Sequence, residues 1–83
     1  MQITIKLYAM LTGYLPDGAE KNQAYLQLSE ETVVSEVIRQ LQMPKNLVHL
    51  VLLNGVYVEP EKLSATLLKD GDVLAIWPPV AGG

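Results

Sequence analysis

The chain has 83 residues, 49% of them hydrophobic and 18% charged, with a formal net charge of −3 and no cysteine. That size supports one small core, and six scattered basic residues offer no nucleic-acid face, although a mildly acidic module suits a basic partner. Without cysteine there are no disulfides, no thiolate catalysis and no cysteine-ligated metal, so any transferable sulfur the chain carries must be added to it.

Residues Gln2 to Tyr8 alternate, with Ile3, Ile5 and Leu7 on one face and Gln2, Thr4, Lys6 and Tyr8 on the other. This predicts a half-buried strand with a wet or partner-facing side. The same alternation around Lys6 is unlike a secretory leader, and no apolar run approaches the roughly 18 residues of a membrane span, so a cytoplasmic location is expected. Ala9 to Asn22 contains Gly13, Pro16 and Asp17-Gly18 and reads as a loop, in which Met10, Leu11, Tyr14 and Leu15 can form a helical turn over the core. Ala24 to Ser29 alternates again and gives a second strand, antiparallel to the first across the long loop.

Thr32 is a good N-cap for a helix whose apolar stripe is Val34, Val37, Ile38 and Leu41, at i, i+3, i+4 and i+7. Glu36 and Arg39 face outward and can pair across one turn, and Pro44 is expected to stop the helix. Val48 to Leu53 is apolar on both faces apart from His49. It fits a strand covered on two sides or one whose second face meets a partner, and its parity stays open. Asn54-Gly55 turns the chain into Val56-Tyr57-Val58. Pro60 to Leu68 reads as irregular, with Leu63, Leu67 and Leu68 placed inward. Asp70-Gly71-Asp72 is a turn into a final strand, Leu74 to Trp77. One helix and several strands predict an α+β sheet with the helix on one face.

Few side chains point to catalysis. His49 has no cysteine or carboxylate near it in sequence and reads as packed or interfacial. Asp70 and Asp72 flank a glycine, but the rest of a metal-ligand spacing is missing, so they read as turn-formers. Glu30-Glu31 suits the start of a helix better than an acid–base pair. Ser29, Ser35 and Ser64 lack a partnering base, and there is no glycine-rich phosphate loop. The chain itself is expected not to be an enzyme.

The last ten residues are different in kind. Pro78 and Pro79 offer no backbone N–H, end the sheet ladder and stiffen an extended exit. Residues 1–78 are therefore expected to form the domain and residues 79–83 a tail. Ala81, Gly82 and Gly83 present almost no side chain: they are either a frayed end or a tail that passes through a channel too narrow for a Cβ. Such a tail delivers its terminal carboxylate, a group with a reference pKa of about 3.5 and a poor electrophile until it is activated, for example by adenylation. If Leu74 and Ile76 face the helix, Ala75 and Trp77 face away, together with Tyr8 if the first strand is the neighbour. A Trp beside a Tyr on an open sheet face is either an interface anchor or a cover for the sheet.

Trp77-Pro-Pro-Val-Ala-Gly-Gly83, preceded by Leu68-Lys-Asp-Gly-Asp-Val-Leu-Ala-Ile76, resembles the end of the sulfur-carrier proteins of the MoaD/ThiS type, and most of all the small subunits of molybdopterin synthase. The likeness is strong over Asp70 to Gly83, fair over Gln2 to Ala9 and Leu52 to Val58, and weak between. It implies a β-grasp, ubiquitin-like fold: a mixed sheet of four to five strands packed on one helix, with the first and last strands adjacent. It also implies an ATP-dependent adenylyltransferase as partner, which uses ATP and Mg while this chain binds no cofactor. Gly83 would be adenylated and become a thiocarboxylate that donates sulfur to an acceptor enzyme, such as a molybdopterin synthase large subunit, in molybdenum cofactor biosynthesis. Val80, Ala81 and Gly82 would line the inserted tail, and Tyr8, Trp77, Pro78 and Pro79 would form the partner interface. The chain has Leu11-Thr12-Gly13-Tyr14 where those small subunits usually carry Arg-Glu, Trp77 in place of Phe, and a short helix, departures that bear on which acceptor is served. The alternatives are a carrier for thiamine or another sulfur metabolite, a protein modifier conjugated through Gly83, and a plain interaction module.

Overall fold

The computed structural model describes residues 1–79. Its strands are β1 (Gln2–Leu7), β2 (Gln23–Gln27), β3 (Leu50–Leu53), β4 (Val56–Tyr57) and β5 (Val73–Trp77), and its helix is α1 (Val34–Gln40). Short 3-10 turns lie at Ala9–Tyr14, Lys45–Leu47 and Pro60–Lys62. The five strands form one sheet in the order β2-β1-β5-β3-β4. β1 runs antiparallel to β2 and parallel to β5, while β3 runs antiparallel to both β5 and β4. The last strand is thus the middle one, and the sheet is mixed and grasps one helix, as expected.

The register follows from the alternation. Leu7 lies opposite Ile76, which lies opposite Val51, and Ala24, Ile5, Leu74 and Leu53 form the next row. All but the half-buried Leu53 are buried. Val34, Val37 and Ile38 of α1 are buried in the same core, with Leu41 packed at its edge. Burying each such side chain contributes about 1.5–3 kcal/mol, and a one-residue slip of any central strand would turn its apolar set to the open face.

Both ends of α1 depart from the sequence expectation. Its N-cap is Val33, not Thr32, and the Glu36 carboxylate accepts the Val33 N–H at 3.1 Å. Thr32 is buried; its hydroxyl donates to the Ser29 carbonyl at 2.7 Å and its own carbonyl accepts the Leu68 N–H. The helix also ends before Pro44 can stop it. Gln42 takes a left-handed φ of 61°, its N–H bonds to the Arg39 carbonyl, and the Met43 N–H bonds to the Ile38 carbonyl. This is a Schellman cap, with the buried Met43 supplying its apolar contact.

Asn54 and Gly55 have φ of 52° and 83°, the pair of positive values that a type I′ turn needs, so the hairpin between β3 and β4 forms where the sequence placed it. In the stretch after β4, Leu68 is buried and Leu63 half-buried, but Leu67 is 56% exposed. Leu67 does not point inward, because it forms an isolated antiparallel bridge with Val33. The extended backbone there alternates its side chains in and out.

Candidate functional site

The helix covers one face of the sheet, and the parity of β3 decides what lies on the other. Since Val51 and Leu53 align with Ile76 and Leu74, Leu50 and Leu52 point away from the helix. Two rows result on the open face: Lys6–Ala75–Leu52–Tyr57, and above it Trp77–Leu50. Lys6 is the one charged residue in these rows. Ala75 is buried by its neighbours, Leu50 and Leu52 are half-buried, and Tyr57 is 52% exposed.

Tyr8, the residue after β1, has extended backbone and donates its N–H to the Ile76 carbonyl. Its ring thereby continues the open-face row beside Trp77. The two rings stack with centroids 4.1 Å apart and planes 4° from parallel. The neighbours expected from alternation are therefore in contact. Each ring fixes the other, so the pair stands as a rigid apolar plate where the parallel strands end, with little side-chain entropy left to lose on docking.

The exit of the chain is built from the same place. The His49 N–H donates to the Trp77 carbonyl at 2.9 Å, and beyond it the prolines bring no further ladder donor. Pro78 is buried against the domain and Pro79 is exposed. Of the residues singled out from sequence, Tyr8, Trp77, Pro78 and Pro79 are thus brought together at one edge of the apolar face. Val80, Ala81, Gly82 and Gly83 lie outside the described residues.

The turn that feeds β5 is fixed by polar side chains. The Asp72 carboxylate accepts the Lys69 N–H at 2.8 Å and the Asn54 side-chain amide at 2.9 Å, and Asn54 in turn accepts the Val73 N–H at 2.8 Å. Asp70 accepts the Gln2 N–H at 2.8 Å. Both aspartates thus act in the turn, as their flanking of Gly71 predicted. Among the described residues no group of three or more His, Cys, Asp and Glu side chains could hold a metal ion, and no helix is long and apolar enough to cross a membrane. His49 is exposed and joins the fold through its backbone.

Sequence reasoning missed Leu50, Leu52 and Tyr57 as parts of this face. The Asn54-Gly55 turn fixes Leu53 opposite Val56 and Leu52 opposite Tyr57, but it fixes only relative parity. Which set faces the helix is decided by pairing with β5.

A sheet that grips one helix, with its last strand at the centre and an apolar plate at that strand's end, defines a ubiquitin-like β-grasp module. The ThiS family model matches residues 13–83, and the chain belongs to the ThiS family of small carrier proteins. The thiamine biosynthesis protein ThiS of Geobacter metallireducens is similar over 100% of both chains, at 25% identity and a TM-score of 0.66. Subunits 1 and 2 of the molybdopterin-converting factor of Helicobacter pylori have been solved as a complex, in which one chain is similar over 100% of both, at 23% identity and a TM-score of 0.61. The small archaeal modifier protein 1 of Methanosarcina acetivorans shares 24% identity over 99% of this chain and 96% of its own, with a TM-score of 0.64. The last two likenesses concern the fold alone. No curated protein matches in sequence.

Proposed function

We propose that the chain is a sulfur carrier whose Gly83 carboxylate is activated and thiolated by partner enzymes, and that it serves as the small, non-catalytic subunit of a molybdopterin synthase in the cytoplasm. The observation that carries this reading is the Tyr8–Trp77 plate at the end of the central strand, immediately before the Pro-Pro-Val-Ala-Gly-Gly sequence. A partner that grips this plate and the row Ala75–Leu52–Tyr57 holds the domain in one orientation and so aims residues 79–83, the proposed tail, at its own active site. Rigid aromatic anchors suit that task because they bury a large area at low entropic cost.

The chemistry belongs to the partners. A carboxylate repels nucleophiles, and the chain has no phosphate-binding loop, so an adenylyltransferase supplies ATP and Mg. The Gly83 carboxylate oxygen attacks the α-phosphorus and pyrophosphate leaves. A sulfur nucleophile then displaces AMP, and the resulting thiocarboxylate passes its sulfur to a precursor on the acceptor enzyme. The two terminal glycines give the backbone passage where a Cβ would clash. The Trp-Pro-Pro ending favours the molybdenum cofactor pathway over thiamine, whose carriers typically lack the proline pair.

A second reading is favoured by the likeness to an archaeal modifier: conjugation of Gly83 to lysines of other proteins through the same acyl adenylate. The intact mass of the protein from its own cells, without a C-terminal tag, separates the two. Exchange of one oxygen for sulfur, localised to the last peptide, is the result expected of a carrier. Higher-mass adducts lost on removal of Gly83 would indicate a modifier. A plain carboxylate after incubation with ATP, a sulfur source and cell extract would sink the carrier reading, leaving conjugation or an inert interaction module.

A further inference from the structure

The two edges of the sheet are unlike each other. β4 is only two residues long, whereas β2 is a five-residue edge, Gln23-Ala24-Tyr25-Leu26-Gln27, with no charge and no proline. Native edges of that length are usually blunted by lysine, proline or a bulge, because their outward N–H and C=O groups pair readily with another strand. On β2 the groups bonded to β1 belong to the even-numbered residues: Asn22 and Leu28 bond to Leu7 and Met1, and Ala24 and Leu26 lie between them in the same register. The odd-numbered residues therefore turn their backbone outward. Gln23 closes its own N–H and C=O on Glu20. That leaves the N–H and C=O of Tyr25 and Gln27 directed outward, without a hydrogen bond among the described residues.

We infer that β2 pairs with β2 of a second copy of this chain, antiparallel about a two-fold axis through Leu26. In that register Tyr25 faces Gln27 of the other copy, and the reverse, so four hydrogen bonds satisfy all the outward groups of both strands. Leu26, half-buried and packed at the core edge, meets its own counterpart across a non-hydrogen-bonded pair, and Ala24 meets Leu28. A register centred on Tyr25 would instead need the Gln23 groups already closed on Glu20. The two helices lie on one side of the joined sheet and both open faces on the other. The Tyr8–Trp77 plate stands at the ends of β1 and β5, one and two strands in from β2, so the edge-to-edge ladder does not use it. A contact this small falls below the ~1,200 Å² typical of stable interfaces, so the dimer is weak and concentration-dependent.

Sedimentation of the 83-residue chain from micromolar to millimolar concentration, with amide exchange measured alongside, tests this. The expected result is a monomer–dimer equilibrium with protection rising at Tyr25 and Gln27. Tyr25→Lys sets two like charges on a diagonal across the ladder and should weaken the dimer about tenfold or more; Tyr25 is 66% exposed, so the fold survives the change. Leu26→Cys, in a chain without cysteine, should oxidise to a disulfide dimer at concentrations where Ser64→Cys stays monomeric, since the facing Cα atoms of such a pair lie about 4.5 Å apart. A monomer at every concentration overturns the inference. So does a dimer indifferent to Tyr25→Lys, equal oxidation of the two cysteine variants, or protection of Tyr25 and Gln27 only when a different protein is added.

Discussion

The rings of Tyr8 and Trp77 lie face to face, 4.1 Å between centroids and 4° from parallel, where the two central parallel strands end. If this pair is the partner's anchor, Trp77→Ala removes more binding than stability. The stack and its partial burial contribute about 1–2 kcal/mol to folding. Loss of a central aromatic from an interface typically costs about 2 kcal/mol or more, roughly a 30-fold loss of affinity. Calorimetric titration of the activating enzyme, with a denaturant melt beside it, gives both numbers, and Trp77→Phe should recover most of each. A Trp77→Ala chain that binds as well as the original would make the plate a mere cover for the sheet.

Deleting Gly83 is expected to leave the denaturation midpoint unchanged and to abolish ATP-dependent thiolation. Pyrophosphate release with the purified adenylyltransferase, read against circular dichroism of the same variant, checks this. Continued activation of the shortened chain would refute the carrier reading.

Gln42 sits at a left-handed φ of 61° in the Schellman cap of α1 and is exposed. A residue with a Cβ is strained there, so Gln42→Gly should stabilise the fold by about 0.5–1 kcal/mol despite the greater freedom of glycine in the unfolded chain. Urea denaturation measures this directly.

Glu36 both accepts the Val33 N–H and stands 3.8 Å from Arg39. The ion pair is largely exposed and is worth a few tenths of a kcal/mol, whereas the cap is worth about 1. Arg39→Ala should therefore be nearly silent and Glu36→Ala clearly destabilising, and most of the Glu36 effect should persist in high salt.

Asp72 and Asn54 share one hydrogen bond and each holds another backbone N–H, of Lys69 and Val73. Each alanine substitution should cost about 1–2 kcal/mol. The double variant should lose less than the sum, because the shared bond is lost once. A thermal-melt double-mutant cycle gives the coupling.

Much of this was legible in the chain. The alternation of Ile3, Ile5 and Leu7 and the stripe of Val34, Val37, Ile38 and Leu41 each specify a buried face by period alone. Asn54-Gly55 names its own turn, and the Tyr8–Trp77 neighbourhood followed once the first and last strands were set side by side. That adjacency came from the family resemblance, since no local pattern states which distant strands pair. The misses share a cause. Thr32 carries a local capping signal, but Val33 is held extended by its bridge to Leu67, and the threonine is drawn instead into bonds with Ser29 and Leu68. The same bridge turns Leu67 out. The outward set of β3 is defined by its register with β5, and apolar residues on both faces of the strand hid that choice.

The central place of β5 has a consequence for the order of events during synthesis. Its partners, β1 and β3, are both made earlier, and β1 waits some seventy residues for the strand beside it, so the decisive contacts close late and over long loops. Until then Ile5 lacks its neighbour Leu74 and Val51 its neighbour Ile76, and the plate at Trp77 does not exist. Under the proposed function, a chain that has not yet paired β5 would offer a processing enzyme no plate to recognise. Completion of the sheet and formation of the plate are a single event, so a partner that docked on the plate would engage only chains whose sheet is closed.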